Sequence, residues 1–137
     1  GNHRFFLDSN GNHTWDVGTD LIAEFGASTD VPIVGDWNGD GIDDIGVWRP
    51  SNNRFFLDTN GNYTWEWGTD LIASFGVSTD LPVIGDWNDD GTDDIGIWRP
   101  ALARFYLDTN GNYTWDVGTD LIADFGETTD LPISGRW

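Results

Sequence analysis

A repeat of 50 residues constrains this chain more than any other feature. Arg4-Phe5-Phe6-Leu7-Asp8 returns as Arg54-Phe55-Phe56-Leu57-Asp58 and again as Arg104-Phe105-Tyr106-Leu107-Asp108. Residues 4–50 and 54–100 differ at only 12 of 47 aligned positions, mostly by mild exchanges, so a feature seen in every copy counts as roughly one observation. A period of this length marks an architecture in which each unit buries its faces against its neighbours.

Within a unit the local signals are all β. Residues 55–59 and 63–67 flank Asn60-Gly61, and an Asn-Gly pair between β-rich runs signals a hairpin, because both turn residues need positive φ. Residues 81–84 and 94–98 read as two further strands, the second stopped by Arg99-Pro100. Residues 69–75 carry some helical character in Leu71-Ile72-Ala73, but Gly68 and Gly76 bracket them closely, which suggests a connector with one helical turn at most.

Four short strands per unit, rich in aromatic and β-branched residues, predict an all-β chain of four-stranded antiparallel β-propeller blades. The strands are apolar on both faces, as stacked blades require. A parallel β-solenoid, with its shorter rung and no hairpin, and an open β-sandwich are the weaker alternatives. In this frame residues 1–18 form a partial blade, 31–67 and 81–117 two blades, and 131–137 the first strand of another. Propellers close with about 4–8 blades. Fewer than three blades therefore imply an incomplete ring, completed either by the rest of a longer propeller or by other copies of the chain.

Between the second pair of strands lies an acidic loop. Asp36-Trp37-Asn38-Gly39-Asp40-Gly41-Ile42-Asp43-Asp44 places side-chain oxygens at positions 1, 3, 5 and 9 and glycine at 6, and Asp86-Trp87-Asn88-Asp89-Asp90-Gly91-Thr92-Asp93-Asp94 repeats the pattern. Such alternation suits a hard cation, which takes six to eight oxygens at about 2.3–2.6 Å. The backbone carbonyl of Ile42 or Thr92 would add a ligand at position 7. An Ile-for-Thr exchange is tolerable where only the backbone contributes. Without a cation, the three carboxylates at positions 1, 5 and 9 would repel strongly.

The loop begins like an EF-hand but lacks the bidentate Glu at position 12, where Val47 and Ile97 stand, and a strand follows it rather than a helix. Together with Phe25-Gly26, Val31-Pro32-Ile33-Val34-Gly35 and Ile45-Gly46-Val47-Trp48-Arg49-Pro50, it resembles the FG-GAP or VCBS repeats, the integrin-α-type propeller blades. The resemblance covers essentially the whole chain. It implies two Ca²⁺ sites, one on Asp36, Asn38, Asp40, the Ile42 carbonyl and Asp44, the other on Asp86, Asn88, Asp90, the Thr92 carbonyl and Asp94. Where a third site would begin, Arg136 replaces the first ligand.

The charge balance bounds the partners. Twenty-four acidic residues against six basic ones give a net charge of −18, which disfavours nucleic acid and anionic membrane surfaces and favours cations. Disorder is excluded by 20 aromatic residues among 137. No stretch approaches the roughly 20 apolar residues of a membrane-spanning helix.

Other signals are weaker. Asn12, Asn62 and Asn112 each begin a glycosylation sequon. Asp8-Ser9-Asn10-Gly11-Asn12 and its copies faintly echo a calcium loop, although a hairpin accounts for them without metal. Trp15, Trp37, Trp48, Trp65, Trp87 and Trp98 recur at fixed repeat positions, as inter-blade packing requires; a sugar-stacking platform is the alternative. Arg49 and Arg99 are expected to pair with nearby Asp residues. Catalysis finds little support, since His3 and His13 are replaced by Asn53 and Tyr63 in the second unit and cysteine is absent. The reading is therefore a non-enzymatic, Ca²⁺-stabilised segment of an extracellular or cell-surface protein, serving adhesion or assembly with extracellular protein or glycan partners. A carbohydrate-binding propeller module is the alternative.

Overall fold

A computed structural model describes residues 3–135. Among the described residues the fold is all-β apart from a single 3₁₀ turn at Pro100–Leu102. Strands β1 (Arg4–Leu7) and β2 (Leu21–Glu24) form a two-stranded sheet. Strands β3 (Val31–Gly35), β4 (Asp44–Arg49), β5 (Arg54–Leu57) and β6 (Leu71–Ser74) form a four-stranded antiparallel meander. The same meander recurs in β7 (Leu81–Gly85), β8 (Asp94–Arg99), β9 (Arg104–Leu107) and β10 (Leu121–Asp124). Antiparallel neighbours throughout exclude the parallel solenoid.

The middle sheet is covered on both faces, and the alternation of side chains along its strands says by what. Ile45, Val47 and Phe56 face the first sheet and bury Ala23 and Phe25. Their neighbours Trp48, Phe55 and Leu57 face the third sheet and pack with Ile84, Ile95 and Ile97. Trp48 and Phe55 are opposite each other in register, fully buried, with ring centroids 4.8 Å apart. A cross-strand pair of this kind is where truncation to Ala would cost about 3–5 kcal/mol. Between sheets, Phe25 meets Trp65 and Phe75 meets Trp115 edge to face. Trp37, Trp48 and Trp98 are core residues, whereas Trp15 and Trp67 are exposed.

Two bidentate ion pairs fasten the turns that enter each four-stranded sheet. Arg49 donates to both carboxylate oxygens of Asp30 at 2.9 and 2.7 Å, and Arg99 does the same to Asp80 at 2.9 and 2.8 Å. Each carboxylate is buried, and each guanidinium lies over the aromatic ring of Phe56 or Tyr106.

The fourth strand is not where the local signals place it. Residues 63–67 form no strand; β6 is built from Leu71-Ile72-Ala73-Ser74, part of the expected connector, and pairs residue for residue with β5. Asn60-Gly61 is accordingly not a two-residue hairpin turn but part of a 13-residue loop, 58–70. The reason is local competition: Asp58, Asn60 and Asn62 side chains accept the N–H groups of Tyr63, Asn62 and Thr64, which removes those donors from any ladder. The sheets thus span residues 31–74 and 81–124 rather than ending at 67 and 117, and the leading pair reaches residue 24 rather than 18. Residues 131–135 join no sheet, although Ser134 Oγ accepts from the Ile84 N–H at 3.3 Å. The remainder of the expected 131–137 strand, Arg136 and Trp137, lies outside the described residues.

Candidate functional site

Both acidic loops connect the first two strands of a four-stranded sheet, 36–44 between β3 and β4 and 86–94 between β7 and β8. Their bases are closed by tryptophan. Trp37 Nε1 donates to the Ile45 carbonyl at 3.2 Å and Trp87 Nε1 to the Ile95 carbonyl at 3.3 Å. The indole folds back over the preceding glycine so closely that a Cβ on Gly35 would lie 2.7 Å from the Trp37 ring, which explains Gly-Asp-Trp at both places.

Within the first loop the carboxylate of Asp36 gathers the backbone. Its Oδ1 accepts from the N–H groups of Gly39 and Asp40 at 2.7 and 3.1 Å, and its Oδ2 from Gly41 at 2.8 Å. Asn38 Oδ1 accepts from the Asp40 N–H, and Asp40 Oδ1 from the Ile42 N–H, both at 2.9 Å. Gly41 has φ of 86°, a left-handed conformation that folds the loop back. The Ile42 side chain is exposed, consistent with a position whose backbone alone matters. Asn38 Nδ2 donates to Asp44 Oδ2 at 2.9 Å, bringing positions 3 and 9 together.

The second loop repeats most of this. Asp86 accepts from Asp90 and Gly91 at 3.0 Å each, Asn88 from Asp90 at 2.9 Å, and Asp90 from Thr92 at 2.8 Å. Here Asp94 Oδ2 accepts instead from the Trp87 N–H at 3.2 Å. The two loops also touch each other across the sheets. The Asp93 N–H donates to the Asp36 carbonyl at 2.8 Å, and the Asp36 N–H to Asp93 Oδ2 at 3.0 Å. Asp93 therefore braces the first loop, while Asp43 is exposed.

Electrostatics at position 9 is the distinctive property. Asp44 and Asp94 are buried, and their carboxyls are raised from 3.8 to about 6 and about 7. Burial is the first cause for both. For Asp44 the negative charges of Asp58, Asp40, Asp36 and Asp43 add to it; for Asp94 those of Asp108, Asp90 and Asp86 add, against the Trp87 hydrogen bond. Among the described residues no three His, Cys, Asp or Glu side chains form a ready-made metal-ligand group. Asp36 and Asp40 instead hold backbone N–H groups, as ion-free carboxylates do. The donor chemistry nevertheless fits a hard dication: three carboxylates, one amide oxygen and one backbone carbonyl per loop, in a region of concentrated negative charge.

The nine-residue pattern leaves out Asp58 and Asp108. Each is fully buried at the start of the 13-residue loop, beside Asp44 or Asp94, and its Oδ1 has no hydrogen-bond partner. Their spacing to Asn60 and Asn62, or to Asn110 and Asn112, is the sequence signal that marks them. The sequon residues Asn62 and Asn112 lie on these loops and Asn12 on the corresponding connection between β1 and β2, and all three are exposed. Their Nδ2 groups are engaged, for example Asn62 with Glu66 Oε2 at 2.7 Å. No protein-family model, curated protein or solved structure matches this chain.

Proposed function

We propose that the chain is a set of Ca²⁺-stabilised propeller blades of the FG-GAP or VCBS kind, without enzymatic activity, acting outside the cell in adhesion or structural assembly. The observation that carries this reading is the pair of loops 36–44 and 86–94. Both present oxygen at positions 1, 3, 5, 7 and 9, and both hold the ninth carboxylate buried among other carboxylates. Asp36, Asn38, Asp40, the Ile42 carbonyl and Asp44 would hold one ion; Asp86, Asn88, Asp90, the Thr92 carbonyl and Asp94 would hold the other. The ion would neutralise charge that burial otherwise disfavours and would rigidify the link between the first two strands of each four-stranded sheet. Because Asp93 of one loop bonds the backbone of the other, ordering either loop also steadies the contact between sheets. Extracellular modules bind Ca²⁺ with Kd of about 10⁻⁴–10⁻³ M, which places such sites where calcium is plentiful. Rigid, stacked units with apolar outer faces suit assembly with further blades, from a longer chain or from other copies.

The test is thermal unfolding in excess Ca²⁺, in Mg²⁺ and in chelator. A ligand present at about 100 times its Kd adds roughly 2.7 kcal/mol per site. A calcium-selective rise in Tm is expected; equal Tm in all three solutions would remove the calcium reading.

A glycan-binding role is the second reading, favoured by two departures of the middle repeat. Trp67, where the other copies have Val17 and Val117, is 79 % exposed. Ser74 stands where Glu24 and Asp124 pair with Arg4 and Arg104, so Arg54 has no ion pair among the described residues. Trp67 and Arg54 line one cavity of about 430 Å³ with Arg49, Asn52 and Trp65. Retention of the chain on immobilised acidic glycans, lost in Trp67→Val, would support this role; equal retention of both proteins would discard it.

A further inference from the structure

The loops that open the third-to-fourth strand connections repeat the architecture of the acidic loops at a second place in each four-stranded sheet. Number each loop from its first aspartate. The position-1 carboxylate accepts from the N–H at position 6 in Asp36–Gly41 (2.8 Å), Asp58–Tyr63 (2.6 Å) and Asp108–Tyr113 (2.6 Å). The position-3 amide oxygen accepts from position 5 in Asn38–Asp40 (2.9 Å), Asn60–Asn62 (3.2 Å) and Asn110–Asn112 (3.1 Å). Position 5 accepts from position 7 in Asp40–Ile42 (2.9 Å), Asn62–Thr64 (2.8 Å) and Asn112–Thr114 (2.8 Å). The position-3 Nδ2 donates to the carboxylate at 9 in Asn38–Asp44 (2.9 Å), Asn60–Glu66 (2.8 Å) and Asn110–Asp116 (3.0 Å). Even the left-handed residues coincide: φ is 74° and 86° at Gly39 and Gly41, and 64° and 63° at Gly61 and Tyr63.

Internal hydrogen bonds of this kind could belong to a self-sufficient turn. What they leave unexplained is the first aspartate. Asp58 and Asp108 are fully buried, and Oδ1 of each has no partner. The other oxygen of each carboxylate reaches across its loop to the position-6 N–H, so Asp58 and Asp108 hold the same place in their loops as Asp36 does in its own. A buried carboxylate oxygen without a hydrogen-bond partner is unfavourable, and the neighbouring charge of Asp44 or Asp94 makes it more so. At position 9, two amide Nδ2 groups converge on one carboxylate oxygen of Glu66. A cation bound there would displace these amide donors from the carboxylate.

We propose that residues 58–66 and 108–116 are a second pair of divalent-cation sites. Asp58, Asn60, Asn62, the Thr64 carbonyl and Glu66 supply the oxygens of one, and Asp108, Asn110, Asn112, the Thr114 carbonyl and Asp116 those of the other. Each has two carboxylates against three in the acidic loops, so affinity is lower by ligand charge. The first copy, 8–16, is not included, because Asp8 is exposed and offers no buried oxygen without a partner.

The experiment is a Ca²⁺ titration of the full chain followed by ¹⁵N–¹H spectra, in wild type and in the double variant Glu66→Gln/Asp116→Asn. Both replacements keep an oxygen for the asparagine amides. In wild type the side-chain amides of Asn60 and Asn62 and the Thr64 N–H should shift and saturate. In the variant those shifts should need at least tenfold more Ca²⁺, while Gly41 and Gly91 in the acidic loops titrate as before. Shifts at 60–64 that persist unchanged in the variant, or that never occur while Gly41 and Gly91 move, overturn this proposal and leave the acidic loops standing. No shift at either set overturns both.

Discussion

Replacing Asp94 by Asn should change the sign of its effect with calcium. Asp94 is only 1 % exposed, and burial together with Asp108, Asp90 and Asp86 pushes its carboxyl from 3.8 to about 7. At pH 8 the folded, ion-free chain must hold it ionised, at a cost of roughly 4 kcal/mol relative to an ordinary carboxyl. Asparagine removes that charge, keeps an oxygen for the Trp87 N–H, and offers a donor to the surrounding carboxylates. Relaxation will absorb part of the gain. Even a quarter of it, ~1 kcal/mol, raises Tm by about 3–6 °C in a chain of this size. In chelator at pH 8, D94N should therefore melt above wild type. In saturating Ca²⁺ it should melt below, because the ligand at position 9 of its loop is weakened. Asp43→Asn is the control: it changes net charge equally at an exposed position, where effects stay within about 0.5 kcal/mol. Scanning calorimetry of the three proteins decides the matter. A chelated D94N that melts below D43N would refute the claim that Asp94 is an uncompensated buried charge.

The pH dependence follows with the same sign. Asp44 and Asp94 have folded-state carboxyls raised to about 6 and about 7, so between pH 4 and 7 the folded chain holds more protons than the unfolded one. Stability of the calcium-free chain is then greatest below pH 4 as far as these groups go, and is lost as pH rises through 6 to 7. Tm in chelator should climb from pH 8 to pH 5, whereas the Tm gain from Ca²⁺ should shrink over the same interval; a chelated Tm that falls on acidification would contradict this. Asp80→Ala strands the Arg99 guanidinium and frees the 76–80 turn. It should cost about 3 kcal/mol in urea unfolding, and a loss under about 0.5 kcal/mol would show the pair to be incidental.

Much of this is legible in the sequence, because it depends on neighbours in the chain. The 50-residue period, the β-rich runs 55–59, 81–84 and 94–98, and the loop between β3 and β4 are local patterns, although β5 ends at Leu57. So is the alternation of oxygens from Asp36 to Asp44. Arg49 and Arg99 pairing with aspartate was also expected, though the partners Asp30 and Asp80 lie 19 residues away. The misplacement of the fourth strand had a physical source. Tyr63-Thr64-Trp65 has the composition of a strand, yet the preceding Asp and Asn side chains take its backbone donors. Leu71-Ile72-Ala73 becomes β6 because β5 offers it a partner and Phe75 a buried anchor.

Sequence alone therefore determined which residues carry oxygen at ligand spacing, since nine consecutive residues set that geometry. Tertiary structure decided which of those oxygens are buried and what stands beside them. Strand pairing carries Asp58 next to Asp44 and Asp108 next to Asp94, across 14 positions of sequence in each case. Stacked sheets then exclude water from both, and charge repulsion becomes strong only once water has gone.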